Sequence, residues 1–236
     1  MKVAIMQPYF FPYIGYFQLI NSVDVFVFYD DVNFIKKCWI NRNYILFNEN
    51  KHLFTIPGKS ISQNKLINAI KIDKENKAFR IFLKTLQTAY SKKAPYYDTV
   101  FPIIKNVMSS NSEIISELAI ESIVSACTFL GIKTKILVSS ENFSETMDLG
   151  RSERLISICK TLGANELINS IGGMEIYDKK DFLDYGIRLS FIRMSENLSY
   201  SQGENQSFIP NLSIIDVLMF NSTEEISQML ESCELL

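Results

Sequence analysis

A chain of 236 residues with 47% hydrophobic content is long enough for one large domain with a proper core, or for a domain carrying a sizeable insertion. Its 24 basic and 26 acidic residues leave a net charge of -2, which disfavours an extended nucleic-acid surface or general attraction to an anionic membrane. Four scattered cysteines without a C-x-x-C pair, and one histidine, argue against a thiolate or polyhistidine metal site, so no metal ligands of that kind are expected. In apolar helical segments Cys127 and Cys159 read as small buried hydrophobes, and His52 reads as a surface or hairpin histidine.

Residues 3–5 predict a buried strand, stopped by Gln7-Pro8 because proline lacks the ladder donor. Pro12 and Gly15 turn the chain into a helix whose free N–H groups suit a phosphate or carboxylate; otherwise the aromatics between Tyr9 and Phe17 simply pack in the core. Residues 24–30 form a second strand, and a βαβ unit this early predicts parallel pairing and an open α/β sheet. Residues 41–57 read as a β-hairpin whose four-residue connection is Asn48-Glu49-Asn50-Lys51, and residues 67–72 as a further strand. Three amphipathic helices follow between residues 74 and 130. Alternation then resumes: strand 134–138, helix 152–162 with Ser152 as N-cap, strand 166–170, helix 175–185, strand 187–192, and two helices within 212–230. The expected architecture is a Rossmann-like, open, mainly parallel sheet in a single α/β domain over 1–236, with a hairpin and helical insertion over 41–130.

In such a sheet ligands bind beyond the carboxyl ends of the strands. Those ends carry Gln7, Asp30-Asp31, Ser139-Ser140 and Ser170-Ile171-Gly172-Gly173. Adjacent carboxylates repel, so Asp30 or Asp31 either takes a proton from a nucleophile, holds a cation, or caps the next turn. Lys36, Lys37 and Arg42 around Trp39 suit a nucleotide, the indole stacking a ring and the cations meeting phosphates; a solvated charged face is the bland alternative. Arg151 and Arg154 open a helix where cations oppose the dipole, which points to an anion they serve, unless they simply pair with Glu153 or Asp148. No apolar run approaches the roughly 20 residues that cross a bilayer, and no signal-peptide core follows Met1, so a cytoplasmic location is expected.

Four blocks, VAIMQPYFFPYIGYF (3–17), DVFVFYDDVNFIKKCWINRN (24–43), YSKKAPYY (90–97) and RSERLISICKTLGA (151–164) with the later IGG (171–173), resemble the WbqC-like family. That resemblance implies a place in O-antigen or other surface-polysaccharide biosynthesis. It implies an acyl or aminoacyl transferase, glycine being one suggested group, acting on the amino group of a nucleotide-linked amino sugar. The alternative is a non-catalytic nucleotide-sugar-binding or scaffold protein. On the transferase reading Asp30, Asp31 and Gln7 are catalytic; Tyr9, Gly15, Tyr16, Lys36, Trp39, Arg42, Asn43, Ser170, Gly172 and Gly173 bind substrate; Arg151 and Arg154 bind phosphate. The donor is an aminoacyl-tRNA, an acyl-CoA or an ATP-derived adenylate, and a homodimer is compatible with the aromatic content. A more distant likeness to nucleotide-binding α/β proteins rests on Tyr13-Ile14-Gly15-Tyr16, which keeps the glycine of H-x-G-H and neither histidine.

Overall fold

The structure, a computed structural model, describes residues 1–195, 198–203 and 207–236. Five parallel strands, β1 (Lys2–Met6), β2 (Val25–Phe28), β5 (Lys135–Val138), β6 (Glu166–Ser170) and β7 (Arg188–Met194), form an open sheet in the order β5-β2-β1-β6-β7. A short β8 (Cys233–Leu235) closes the β7 edge in antiparallel fashion. The chain winds outward from β1 through β2 to β5, then returns beside β1 and winds the other way through β6 and β7. With right-handed crossovers this reversal places the connecting helices on opposite faces.

Side-chain alternation in β1 and β2 divides the core accordingly. Val3, Ile5, Val25 and Val27 face α6 (Arg151–Leu162) and α7 (Lys179–Leu183), where Leu155, Ile158 and Phe182 complete one cluster. Ala4, Phe26 and Phe28 face the larger cluster, built with α1 (Ile14–Asn21), α4 (Ile115–Phe129), α8 (Ile214–Phe220) and α9 (Thr223–Glu231). The same cluster takes in the hairpin β3 (Arg42–Phe47) and β4 (Asn50–Thr55) with α2 (Lys77–Tyr90) and α3 (Tyr97–Met108).

Local chemistry departs from expectation at several points. The hairpin is tighter than predicted: Phe47 pairs with Asn50, and Asn48 and Glu49 both take positive φ, as a two-residue turn matched to strand twist requires. Residues 67–72 make no strand. Ile67–Ala69 is a 3-10 turn whose Asn68 N–H goes to the Asp30 carbonyl, and only isolated bridges tie Ile72 and Lys71 to Gly58 and Ile114. The apolar spacing there reports burial of Ile67, Ile70 and Ile72 without a neighbouring strand to ladder with. The predicted helix 175–185 shrinks to a 3-10 turn at Ile171–Glu175 and α7, which begins where Asp178 accepts from Lys180 N. Gly150, not Ser152, is the N-cap of α6; its N–H is taken by the Glu153 carboxylate at 3.0 Å.

The C-terminal segment is anchored by a buried acid. Asp216 accepts from Tyr90 Oη at 2.8 Å, Tyr200 Oη at 2.8 Å and Gln202 Nε2 at 3.0 Å. Burial lifts its carboxyl above the ordinary 3.8, partly offset by these hydrogen bonds. A raised value in the folded state means the protonated form favours folding, a contribution complete below 3.8 and lost as pH rises through the folded value. Wild type should therefore lose stability relative to Asp216→Asn across that interval and level off above it; urea midpoints at graded pH measure this, and a pH-independent difference would contradict it.

Candidate functional site

The ladder between β1 and β6 covers only Lys2↔Glu166 and Val3↔Leu167, whereas β6 and β7 pair over five positions and β1 and β2 over four. The two central strands therefore part at their carboxyl ends, where the direction of winding reverses. Gln7, half-buried, leaves β1 at this fork, its carbonyl accepting from Tyr16 Oη at 2.8 Å. Opposite it, Ser170 is half-buried with its N–H on Asn169 Oδ1. Gly172 is exposed with open space where a Cβ would stand, while a Cβ on Gly173 would lie 3.0 Å from Asn169 and 3.1 Å from Phe191. Gly173 is thus a packing requirement and Gly172 leaves the turn open to solvent.

One strand away, the two carboxylates beyond β2 part company. Both oxygens of Asp30 are met by α5 (Ser139–Asn142): Oδ1 accepts from Ser140 N at 3.0 Å and Oδ2 from Ser140 Oγ at 2.7 Å, with Asn68 Nδ2 adding a contact at 3.3 Å. Asp31 turns to α6, where its Oδ2 accepts from Arg154 Nη2 at 2.6 Å. The guanidinium also donates to Ser139 Oγ and Thr146 Oγ1 and lies 4.6 Å over the Tyr29 ring. Asp30, Asp31 and Arg154 are 4%, 3% and 3% exposed. Among the described residues, Asp31 Oδ1 is buried without a hydrogen-bond partner. Arg154 thus has its anion within the chain, whereas Arg151 stands exposed at the first position of α6.

A third locus is an open cleft of about 330 Å³ lined by Tyr9, Pro12, Tyr13, Trp39, Asn43 and Asn211. It borders the start of α1. Tyr16 lies beneath Tyr9, the ring centroids 5.5 Å apart, and Gly15 is covered so closely by the Tyr13 ring that a Cβ would come within 2.4 Å. Cys38 Sγ donates to Tyr9 Oη at 3.7 Å. Burial raises both the Tyr9 and Tyr13 phenols, so they remain neutral donors near pH 7. Next to Pro12 of the lining, the chain is held at Phe11, whose φ of 41° is rare for an aromatic residue. Its N–H goes to Ser122 Oγ, and its carbonyl accepts from Asn43 Nδ2 at 2.8 Å and Ser213 Oγ at 2.7 Å. Lys36 is exposed in the neighbouring segment; Arg42 is half-buried, its Nη2 donating to the Lys37 carbonyl.

The structure thus gathers Tyr9, Trp39 and Asn43 in one cleft, and Asp30, Asp31 and Arg154 in one polar network. Asn68, Thr146 and Asn211 join these loci without any sequence signal, since each is an ordinary loop or turn residue far along the chain from its partners. Among the described residues no cluster of His, Cys, Asp or Glu is arranged to hold a metal ion, and no helix is long and apolar enough to cross a membrane.

The class is that of an open α/β protein with a mainly parallel sheet, doubly wound, and polar groups at its carboxyl edge. Residues 7–228 match the WbqC-like protein family, and the chain belongs to it. It is similar to Rv1507c of Mycobacterium tuberculosis, described as an uncharacterised protein, with 28% identity over 98% of both chains. No solved structure matches it.

The buried ion pair makes a stability prediction. Arg154→Ala should lower the unfolding free energy by about 3–5 kcal/mol, because Asp31 is left charged in a dry setting. Asp31→Ala/Arg154→Ala should cost less than the sum of the single changes, read by urea denaturation; simple additivity would show that the pair is not coupled.

Proposed function

We propose that the protein binds a nucleotide-linked amino sugar at the carboxyl edge of its sheet and transfers a small acyl group, glycyl foremost, to the sugar amine. The observation that carries this reading is the fork between β1 and β6, which opens where doubly wound sheets accept ligands. Gln7 at the fork orients the acyl carbonyl. Lys36 and Arg42 meet the diphosphate, and Arg151 with the open turn at Gly172 offers a second anion contact. In the transfer the amine nitrogen attacks the carbonyl carbon, a C–N bond forms, and the bond to the donor's leaving group breaks with its electron pair. The proton released from nitrogen goes to Asp31 Oδ1, which among the described residues is the one carboxylate atom of the pair without a donor; it is buried at rest, so the bound substrate has to displace the edge that covers it. Aminoacyl-tRNA, acyl-CoA and aminoacyl adenylate all supply a carbonyl with such a leaving group.

A second reading, sugar-nucleotide binding without turnover, draws on the burial of Asp30 and Asp31 and the full set of donors on Asp30. Calorimetric titration with nucleotide-linked amino sugars, followed by mass spectrometry after addition of each donor class, separates the two. Transfer predicts a product heavier by one acyl residue; binding with unchanged mass across all donors favours the second reading. Asp31→Asn should suppress turnover at least tenfold, on the scale of a lost general base, while sparing sugar-nucleotide affinity. Equal loss of both would make Asp31 a brace only.

A further inference from the structure

The aromatic cleft differs in chemistry from the fork and the carboxylate network. Three rings, a proline and two amides line it, and none of these side chains is charged. A volume of about 330 Å³ lies at the small end of ligand pockets, room for one substituted ring and not for a whole sugar nucleotide. Trp39 is 39% exposed, so its indole face is available at the cleft wall, tilted by 61° against Tyr44. Asn211 in the cleft wall and Phe11, next to Pro12, hold positive φ of 60° and 41°, and three hydrogen bonds from separate elements maintain the latter.

We infer that this cleft is the subsite for the pyranose ring of the substrate, with the sugar's C–H face stacked on Trp39 and its hydroxyls met by Tyr9 and Tyr13. The assignment rests on the proposed reading of the substrate as a nucleotide-linked sugar and deepens it. An aromatic face is electron-rich, so it attracts the C–H side of a sugar as well as the edge of another ring. Phenolic hydroxyls rotate to suit a sugar hydroxyl that either donates or accepts. A nucleobase instead needs fixed donors and acceptors along its edge. Of the two amides in the cleft Asn43 is already committed, its Nδ2 to the Phe11 carbonyl and its Oδ1 to the Tyr44 N–H at 2.8 Å, which leaves Asn211 as the one amide to provide them. The missing charge argues equally against a phosphate in the cleft, which leaves the diphosphate to Lys36 and Arg42 outside it. Asn43 is therefore a positioning residue, setting the backbone of Phe11 and through it the neighbouring Pro12 and Tyr13.

Trp39 is the only tryptophan of the chain, so its emission reports on this cleft alone. Wild-type protein is titrated in parallel with a nucleoside diphosphate and with the corresponding nucleotide-linked amino sugar, by calorimetry and by tryptophan fluorescence. The expected result is that both bind, that only the sugar nucleotide alters the emission, and that Trp39→Ala weakens the sugar nucleotide roughly tenfold while leaving the diphosphate unchanged. Trp39→Phe, which keeps an aromatic face, should restore most of that loss. An equal emission change from the diphosphate alone overturns the assignment in favour of a base in the cleft. Calorimetric binding of the sugar nucleotide with silent emission and an indifferent Trp39→Ala overturns it while leaving the proposed function standing. Absence of calorimetric binding by either ligand overturns both.

Discussion

Two adjacent carboxylates at the end of a buried strand set the constraint around which this molecule is organised. Asp30 and Asp31 leave β2 in a region almost closed to water, where an unmet charge is expensive and two unmet charges side by side are worse. The solution is division. Asp30 faces Ser140 and Asn68, which ties the beginning of α5 and the turn at Ile67–Ala69 to the sheet. Asp31 faces Arg154, which ties the first turn of α6 to the same strand end. A cation in the first turn of a helix opposes the dipole, and here its compensation is a carboxylate of the same chain, with Tyr29, Ser139 and Thr146 completing its surroundings. The polar pair thereby fixes where the turn at Ile67–Ala69 and the helix on the opposite face sit relative to the carboxyl edge.

A second junction does comparable work for the cleft. The backbone of Phe11 is held by Ser122 from α4, Asn43 from β3 and Ser213 from the cap of α8. Three elements remote from one another in the chain therefore converge on one residue with an unfavourable φ. The Phe11 ring itself is fully buried and packs edge-on against Phe10, at 4.9 Å between centroids. The aromatic run that precedes α1 thus divides its labour: Phe10, Phe11 and Tyr16 are core, while Tyr9 and Tyr13 face the cleft. The family match spans residues 7–228, and the division of labour within the aromatic run is what the tertiary arrangement adds to it.

Much of the frame was legible because it depends on local patterning. The strands at β1, β2, β5, β6 and β7 are apolar runs ended by polar, glycine or proline residues, and the helices α2, α3 and α4 show apolar spacings of three and four. The parts that were misread are those where backbone groups find partners outside their own segment. Residues 67–72 resemble a strand by apolar content, yet their donors and acceptors go to Asp30, Glu113 and Ile115. The two arginines of α6 look alike in sequence, yet the helix surface turns one into the interior and leaves the other in water.

The amino-acid sequence by itself determined the alternation of strands and helices, the βαβ opening and the placing of polar residues at strand ends, because these follow from periodicity and from what glycine and proline permit within a few residues. Only the tertiary structure decided which partners each carboxylate takes. Asp30 meets Asn68 at a separation of 38 residues and Ser140 at 110, and Asp31 meets Arg154 at 123. Contacts at such distances depend on how the sheet, helices and loops close over one another, a property of the packed whole that no local pattern encodes.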